Sequence, residues 1–200
     1  MESTHTTTYA RVGFTGLFFT ITFACFAHQE PVLHVFNHEG AVEVERLQDA
    51  LYDLYICSFH DVYREFWSEK FEHFMHKNFN HYFEKFKSTD SMTLVVAKHG
   101  QDICGWILFD YNQDKSQAII ELICVDIHMK RQGIGKRLVC AIRDLIPEVT
   151  TMSLVTKKIN TISPHFYESL GFVKTDFMLP EYNAELMQGY EWNEESKDLL

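Results

Sequence analysis

Cys124-Val125-Asp126-Ile127-His128-Met129-Lys130-Arg131-Gln132-Gly133-Ile134-Gly135-Lys136-Arg137-Leu138 joins a strand to a helix. Before it, residues 118–127 form an apolar, β-branched run that reads as a strand; after it, helical spacing holds over 133–145 until Pro147. The helix opens without a side-chain cap, because residues 129–134 contain no Ser, Thr, Asp or Asn for its first N–H groups. Gly135 in the first turn costs about 1 kcal/mol relative to Ala. A bound phosphate accounts for both features, since glycines admit close backbone approach and open N–H groups at a helix start attract an anion. Lys130, Arg131, Lys136 and Arg137 concentrate positive charge here. A solvated basic helix start is the plain alternative, and the local pattern alone leaves both open.

Working outward, residues 93–98, 103–111 and 118–127 read as three strands of a meander with short polar turns. Upstream, 32–37 reads as a strand. Helical spacing then begins near Glu43, runs through Leu47, Leu51 and Leu54, and continues through Phe66, Phe71, Phe79, Phe83 and Phe86, with a break expected near 58–61. Downstream come a strand over 151–156, a short helix over 164–170, and strands over 172–177 and about 185–192.

The short helix carries the second chemical signal. In Asn160-Thr161-Ile162-Ser163-Pro164-His165-Phe166-Tyr167-Glu168-Ser169-Leu170-Gly171-Phe172, Ser163 is the expected N-cap and Pro164 the first helical residue. Gly171 suits a left-handed cap, with Phe172 making the hydrophobic contact that follows one. Tyr167 by itself reads as a packed aromatic. Its phenol, with an ordinary pKa near 10, is protonated at neutral pH and able to donate to a departing thiolate.

Composition sets the limits. The chain has 200 residues, 46% hydrophobic and 23% charged, enough for one sizeable core. Eighteen Lys and Arg against 28 Asp and Glu give a net charge of -10, which argues against a general nucleic-acid binder. Cys25, Cys57, Cys104, Cys124 and Cys140 are odd in number, widely spaced and without a Cys-x-x-Cys pair, so they read as reduced structural thiols in a cytoplasmic protein. The run VGFTGLFFTITFACFA over 12–27 is about 16 residues where a membrane span needs roughly 20. Its flank, Glu2 with a single Arg11, is a feeble signal-peptide front. Its strand-like alternation favours an added strand or hairpin. Residues 1–30 are therefore expected to form a hydrophobic β extension and 31–200 the main domain, with no stable membrane insertion.

Together the two motifs resemble the GNAT superfamily of N-acyltransferases. The family pattern Arg/Gln-x-x-Gly-x-Gly/Ala maps onto Lys130 to Gly135, with Lys130 departing from the usual residue. Val125 is the hydrophobic residue eight positions before the first glycine. Asn160, Tyr167 and Gly171-Phe172 fit the downstream pattern, while Ser163 and Pro164 depart from it. The match is strongest over 118–177, and it leaves 1–40 unexplained. It implies an α+β fold with a central, mostly antiparallel twisted sheet flanked by helices, here with an extra N-terminal β element.

The resemblance also implies roles. Acetyl-CoA is the donor, and no metal is needed. Backbone groups of Cys124 and Val125 pair with the pantetheine arm. Main-chain amides over Arg131, Gln132, Gly133, Ile134, Gly135 and Lys136 hold the pyrophosphate, with Lys130 alongside. Asn160 bonds the cofactor arm or positions Tyr167, and Tyr167 is the general acid. An alkyl amine near pKa 10 is only about one part in a thousand neutral at pH 7, so a general base helps. Glu121 is the first candidate, with Asp126 and His128 weaker ones and a plain ion pair the alternative for Glu121. The acceptor is an amine-bearing small molecule or a protein amine, and a homodimer is compatible with the family.

Two other readings are weighed. Glu65, Glu69, His73 and His76 fall on one helix face, with His60 and His81 near them, but the spacing fits no tight metal site and reads as a solvated polar face. A non-catalytic acyl-CoA-binding module, or one docking a partner or a membrane through the N-terminus, is the functional alternative.

Overall fold

The three apolar runs of the middle segment fold into the expected meander of β3 (Met92–His99), β4 (Asp102–Asn112) and β5 (Gln117–Val125). The structure is a computed structural model describing residues 19–21 and 30–194. Before the meander come β1 (Phe19–Ile21) and β2 (Val32–Phe36); after it come β6 (Thr151–Lys157), β7 (Val173–Thr175) and β8 (Met187–Asn193). Among the described residues these form one eight-stranded sheet in the order β1-β2-β3-β4-β5-β6-β8-β7. Every pairing is antiparallel except β5 with β6. The backbone of β1 pairs with Leu33 to Val35; the rest of the expected N-terminal extension, with Cys25, lies outside the described residues.

Among the described residues five α-helices cover the sheet: α1 (Ala41–Glu45), α2 (Gln48–Tyr63), α3 (Glu69–Ser88), α4 (Ile134–Leu145) and α5 (Ser163–Ser169). The break in the long helical stretch falls later than expected. α2 runs on to Tyr63, a 3-10 turn covers Arg64–Phe66, and Ser68 starts α3 by accepting a hydrogen bond from the Phe71 N–H at 3.3 Å. A capping hydroxyl therefore sets the boundary, downstream of the break expected near 58–61.

Each face of the sheet carries its own core. Leu138, Val139 and Ile142 of α4 pack with Val95, Ile107, Phe109, Leu154 and Tyr167 on one side. Leu51 and Tyr55 of α2 and Phe79, Phe83 and Phe86 of α3 pack with Leu94, Trp106 and Leu122 on the other. The Trp106 indole N–H donates to the Leu51 carbonyl at 3.2 Å, tying α2 to the sheet centre.

β5 changes sides partway along. Ala118 and Ile120 face the α4 core, whereas Leu122 and Cys124 face the α2–α3 core. The switch is a β-bulge: Leu108 pairs with Leu122 and Phe109 with Ile120, which leaves Glu121 as the extra residue. Immediately beyond, the sheet parts. β5 and β6 pair only from Gln117↔Thr151 to Ile120↔Leu154, after which β5 continues with β4 and β6 with β8.

Candidate active site

The parted strands open a cavity of about 770 Å³, a size ordinary for small-molecule sites. Glu121, Ile123 and Val125 line one wall, and Val155, Thr156 and Lys157 the other. On this stretch the β6-facing side of β5 has no strand partner, so its main chain is open to pair with an extended ligand.

At one end stands the start of α4. Its N-cap, Gly133, has φ +79 and no side-chain cap, as the missing capping residue predicted. Arg131 also adopts a left-handed φ of 63°. Lys130, Arg131, Gly133, Ile134, Gly135 and Lys136 all line the cavity. Arg137 does not belong with them: its guanidinium turns to the Pro31 carbonyl at 2.9 Å and to Glu30 at 3.4 Å. Cys124 and Gln132 are not among the walls. The Cys124 thiol is buried, and the Gln132 amide donates back to the His128 carbonyl at 3.4 Å. Gly135 has a packing reason besides ligand access, since a Cβ there would sit 3.0 Å from the Phe166 ring.

Asp126 and His128 act within the turn. The Asp126 carboxylate accepts from the His128 N–H at 2.8 Å, and the Asp126 N–H donates to the Cys104 carbonyl at 3.0 Å. The Asp126 side chain thus caps the 3-10 turn that leads into the glycine loop.

α5 brings Tyr167 to the cavity. The expected Ser163 cap does not form: Ile162 holds the N-cap position without a side-chain bond, and the buried Asn160 accepts from the Ile162 N–H at 3.1 Å and the Ser163 N–H at 3.0 Å. Ser163 itself is the first helical residue, and its hydroxyl bonds that of Thr156 at 3.0 Å. Pro164 still sits in the first turn, where its missing N–H costs nothing. At the other end Gly171 has φ +86, and the Phe172 N–H donates to the Tyr167 carbonyl at 3.1 Å, giving the expected left-handed cap. Tyr167 is 6% exposed. Burial pushes its pKa far above the usual phenol range, with the neighbouring Cys124 and Tyr63 adding to the effect. It is a neutral phenol, a donor rather than a base.

The bulge aims Glu121 into a charged cluster. Its side chain is 3% exposed and meets the Lys85 ammonium at 2.5 Å, while Lys85 also approaches Asp110 at 3.7 Å. Burial raises the Glu121 pKa, and the hydrogen bond from Lys85 only partly offsets it. The ion pair therefore exists together with the cavity-lining position. Beside it the hydroxyls of Tyr82 on α3 and Tyr182 are hydrogen-bonded, closing the cavity between α3 and the loop before β8. Lys85, Tyr82, Tyr182 and Lys157 were not singled out from the sequence. Nothing local marks them, because their partners lie 36 or 100 residues away in two of the contacts.

The proposed metal alternative finds other partners: the His76 ring packs edge-on to Tyr52 at 5.3 Å and that of His60 lies 4.6 Å from Trp67. Among the described residues no three His, Cys, Asp or Glu side chains converge, and no helix is long and apolar enough to cross a membrane. Of the three cysteines that lie within apolar runs and were expected to be buried, Cys104 and Cys124 are buried and Cys140 is half-buried; Cys57 is exposed.

Among solved structures, the chain is similar to the PaiA N-acetyltransferase of Thermoplasma acidophilum, crystallised with coenzyme A, at 14% identity and a TM-score of 0.63, over 80% of this chain and 98% of that one. A GNAT-family acetyltransferase of Staphylococcus aureus Mu50 matches at 14% identity and a TM-score of 0.58, over the same shares. The ribosomal-protein-S18-alanine N-acetyltransferase of Escherichia coli matches at 19% identity and 0.51, over 73% and 86%. At these identities the likeness concerns the fold. No curated protein sequence matches. The model of the acetyltransferase (GNAT) family matches residues 59–172, more than half the chain and, from the end of α2 through Phe172, most of the residues that line the cavity. The chain belongs to the GNAT family of acyltransferases.

Proposed function

We propose that this protein is an N-acetyltransferase that takes an acetyl group from acetyl-CoA to an amine by direct attack. One observation carries the reading: the gap between β5 and β6 runs from the uncapped start of α4 to the neutral phenol of Tyr167. When bound, acetyl-CoA supplies the acetyl group and the sulfur leaving group. The amides around Gly133 to Lys136, with Lys130 and Arg131 beside them, suit its diphosphate. The open edge of β5 at Cys124 and Val125 suits its amide-bearing arm, which pairs as a further strand would.

The chain's own groups then handle protons. Glu121 takes one from the incoming amine, which is almost wholly protonated at neutral pH. Burial favours this by raising the carboxylate's pKa, and Lys85 orients it. The new N–C bond forms as the C–S bond breaks, Tyr167 donates its proton to the sulfur, and the second proton leaving the nitrogen restores the phenol, so that one proton per turnover leaves through Glu121. Asn160 acts through α5, fixing where Tyr167 stands. No covalent enzyme intermediate is required, so orientation and placed proton carriers supply the catalysis.

Tyr167→Phe tests the assignment. The ring keeps its packing against Phe166, Phe172 and Tyr190, so coenzyme A still raises the melting temperature while kcat falls about 100-fold. Unchanged turnover in that variant contradicts the role. Coenzyme A binding without thiol release on a broad amine panel favours a non-catalytic binding module instead.

A further inference from the structure

Lys157 lies on β6 three residues past Leu154, the last residue to pair with β5. It stands on the α2–α3 side, where its ammonium lies 5.2 Å from the ring centre of Tyr63, 5.1 Å from Phe71 and 4.9 Å from Phe74. Lys157, Tyr63 and Phe74 all line the cavity. Aromatic faces attract a cation, but they bring no counter-charge. Among the described residues no carboxylate pairs with Lys157. Its half-buried ammonium has lost water, and burial lowers its pKa accordingly. A charge so placed costs free energy that an incoming anion recovers. The three rings also hold the ammonium at the cavity wall, where a second cation would be repelled.

We infer that Lys157 binds a carboxylate on the acceptor, so that the substrate is a primary amine carrying an acid group, of the amino-acid kind. The inference rests on the acetyl-transfer reading and narrows it. Glu121 lies one residue beyond the last β5–β6 pair and Lys157 three beyond it on the other strand. At about 3.3 Å per residue their main chains differ in level by about 7 Å. That offset, together with the parting of the strands, leaves room for a small molecule with its nitrogen toward Glu121 and its acid group toward Lys157, and the long lysine stem adjusts the fit. The ammonium is a binding group and takes no part in bond making.

The test is a panel of matched acceptors: α- and ω-amino acids, each beside the amine left when its carboxyl group is removed. Thiol release gives kcat/KM, and the acceptor-induced shift in melting temperature with coenzyme A present gives binding. The parent protein should prefer at least one carboxylate-bearing member over its partner by tenfold or more. Lys157→Met should bring that ratio close to one in both readouts, and Lys157→Arg should keep most of it. Turnover with no preference in any pair overturns the inference while leaving acetyl transfer intact. So does a Lys157→Met variant whose main defect is weaker coenzyme A binding, since the ammonium then serves the donor. Absence of thiol release across the panel, with coenzyme A bound, overturns the acetyl-transfer reading itself.

Discussion

At the scale of single residues the site is made by a few side chains whose surroundings fix their protonation. Tyr167 and Tyr63 are both buried phenols beside the cavity, Tyr63 pushed up to about 12 by its burial, with Asn160 pulling the other way. Raised phenol pKa values mean that the unfolded chain releases protons first as pH rises. The stability they contribute is therefore complete below about pH 10 and is lost above it, for Tyr63 between about 10 and 12, at about 1.4 kcal/mol per phenol per pH unit. Melting temperature should fall steeply above pH 10, and the fall should be shallower in Tyr63→Phe; equal slopes would refute the burial argument. Gly189 gives a packing test. A Cβ there would meet the Phe177 carbonyl oxygen at 2.0 Å, so Gly189→Ala must displace the segment crossing β8. We expect a loss of about 3 kcal/mol, read as a melting temperature lower by roughly 10 °C. Tyr167, Asn160 and Gly133, which all line the cavity, were singled out from the sequence because their motifs are local. Lys85 and Lys157 were not, because a lysine's role is decided by what the fold brings to it.

Among elements, α5 shows how a short helix is held by a residue outside it. Ser163 had the right chemistry for an N-cap, yet it is the first helical residue; Ile162 holds the N-cap position without a side-chain bond, and Asn160 accepts from the Ile162 and Ser163 N–H groups in the turn before the helix. Asn160→Ala should cost about 1 kcal/mol in stability, as a lost cap does. It should also lower kcat more than the coenzyme A affinity, because Tyr167 rides on this helix. Asn160→Asp retains the accepting oxygen and should recover most of both. A variant with normal kcat would show that α5 is positioned by its packing alone. The elements themselves read well from sequence: the meander, α4 and the Gly171 stop lie within a residue or two of expectation. The bulge at Glu121 did not, since both faces of β5 are buried. The alternation of buried and partly buried residues runs unbroken through the point where the strand changes sides.

For the whole molecule, two cores on opposite faces of one sheet leave a seam where that sheet splits. The seam is what makes the cavity. Neither the split nor the volume was legible in the sequence, because both depend on β6 following β8 while β5 follows β4. The charge balance, by contrast, was informative: in a chain of net charge -10, Lys130, Arg131 and Lys136 line the end of the cavity where a diphosphate fits. The central claim is that main-chain amides at this seam grip coenzyme A. Its most direct test is residue-resolved amide NMR of the full chain titrated with coenzyme A. The largest shifts should fall on the amides of 131–136 and of Val125, with small changes over α1 and β2. Large shifts elsewhere with those amides unmoved would contradict the account.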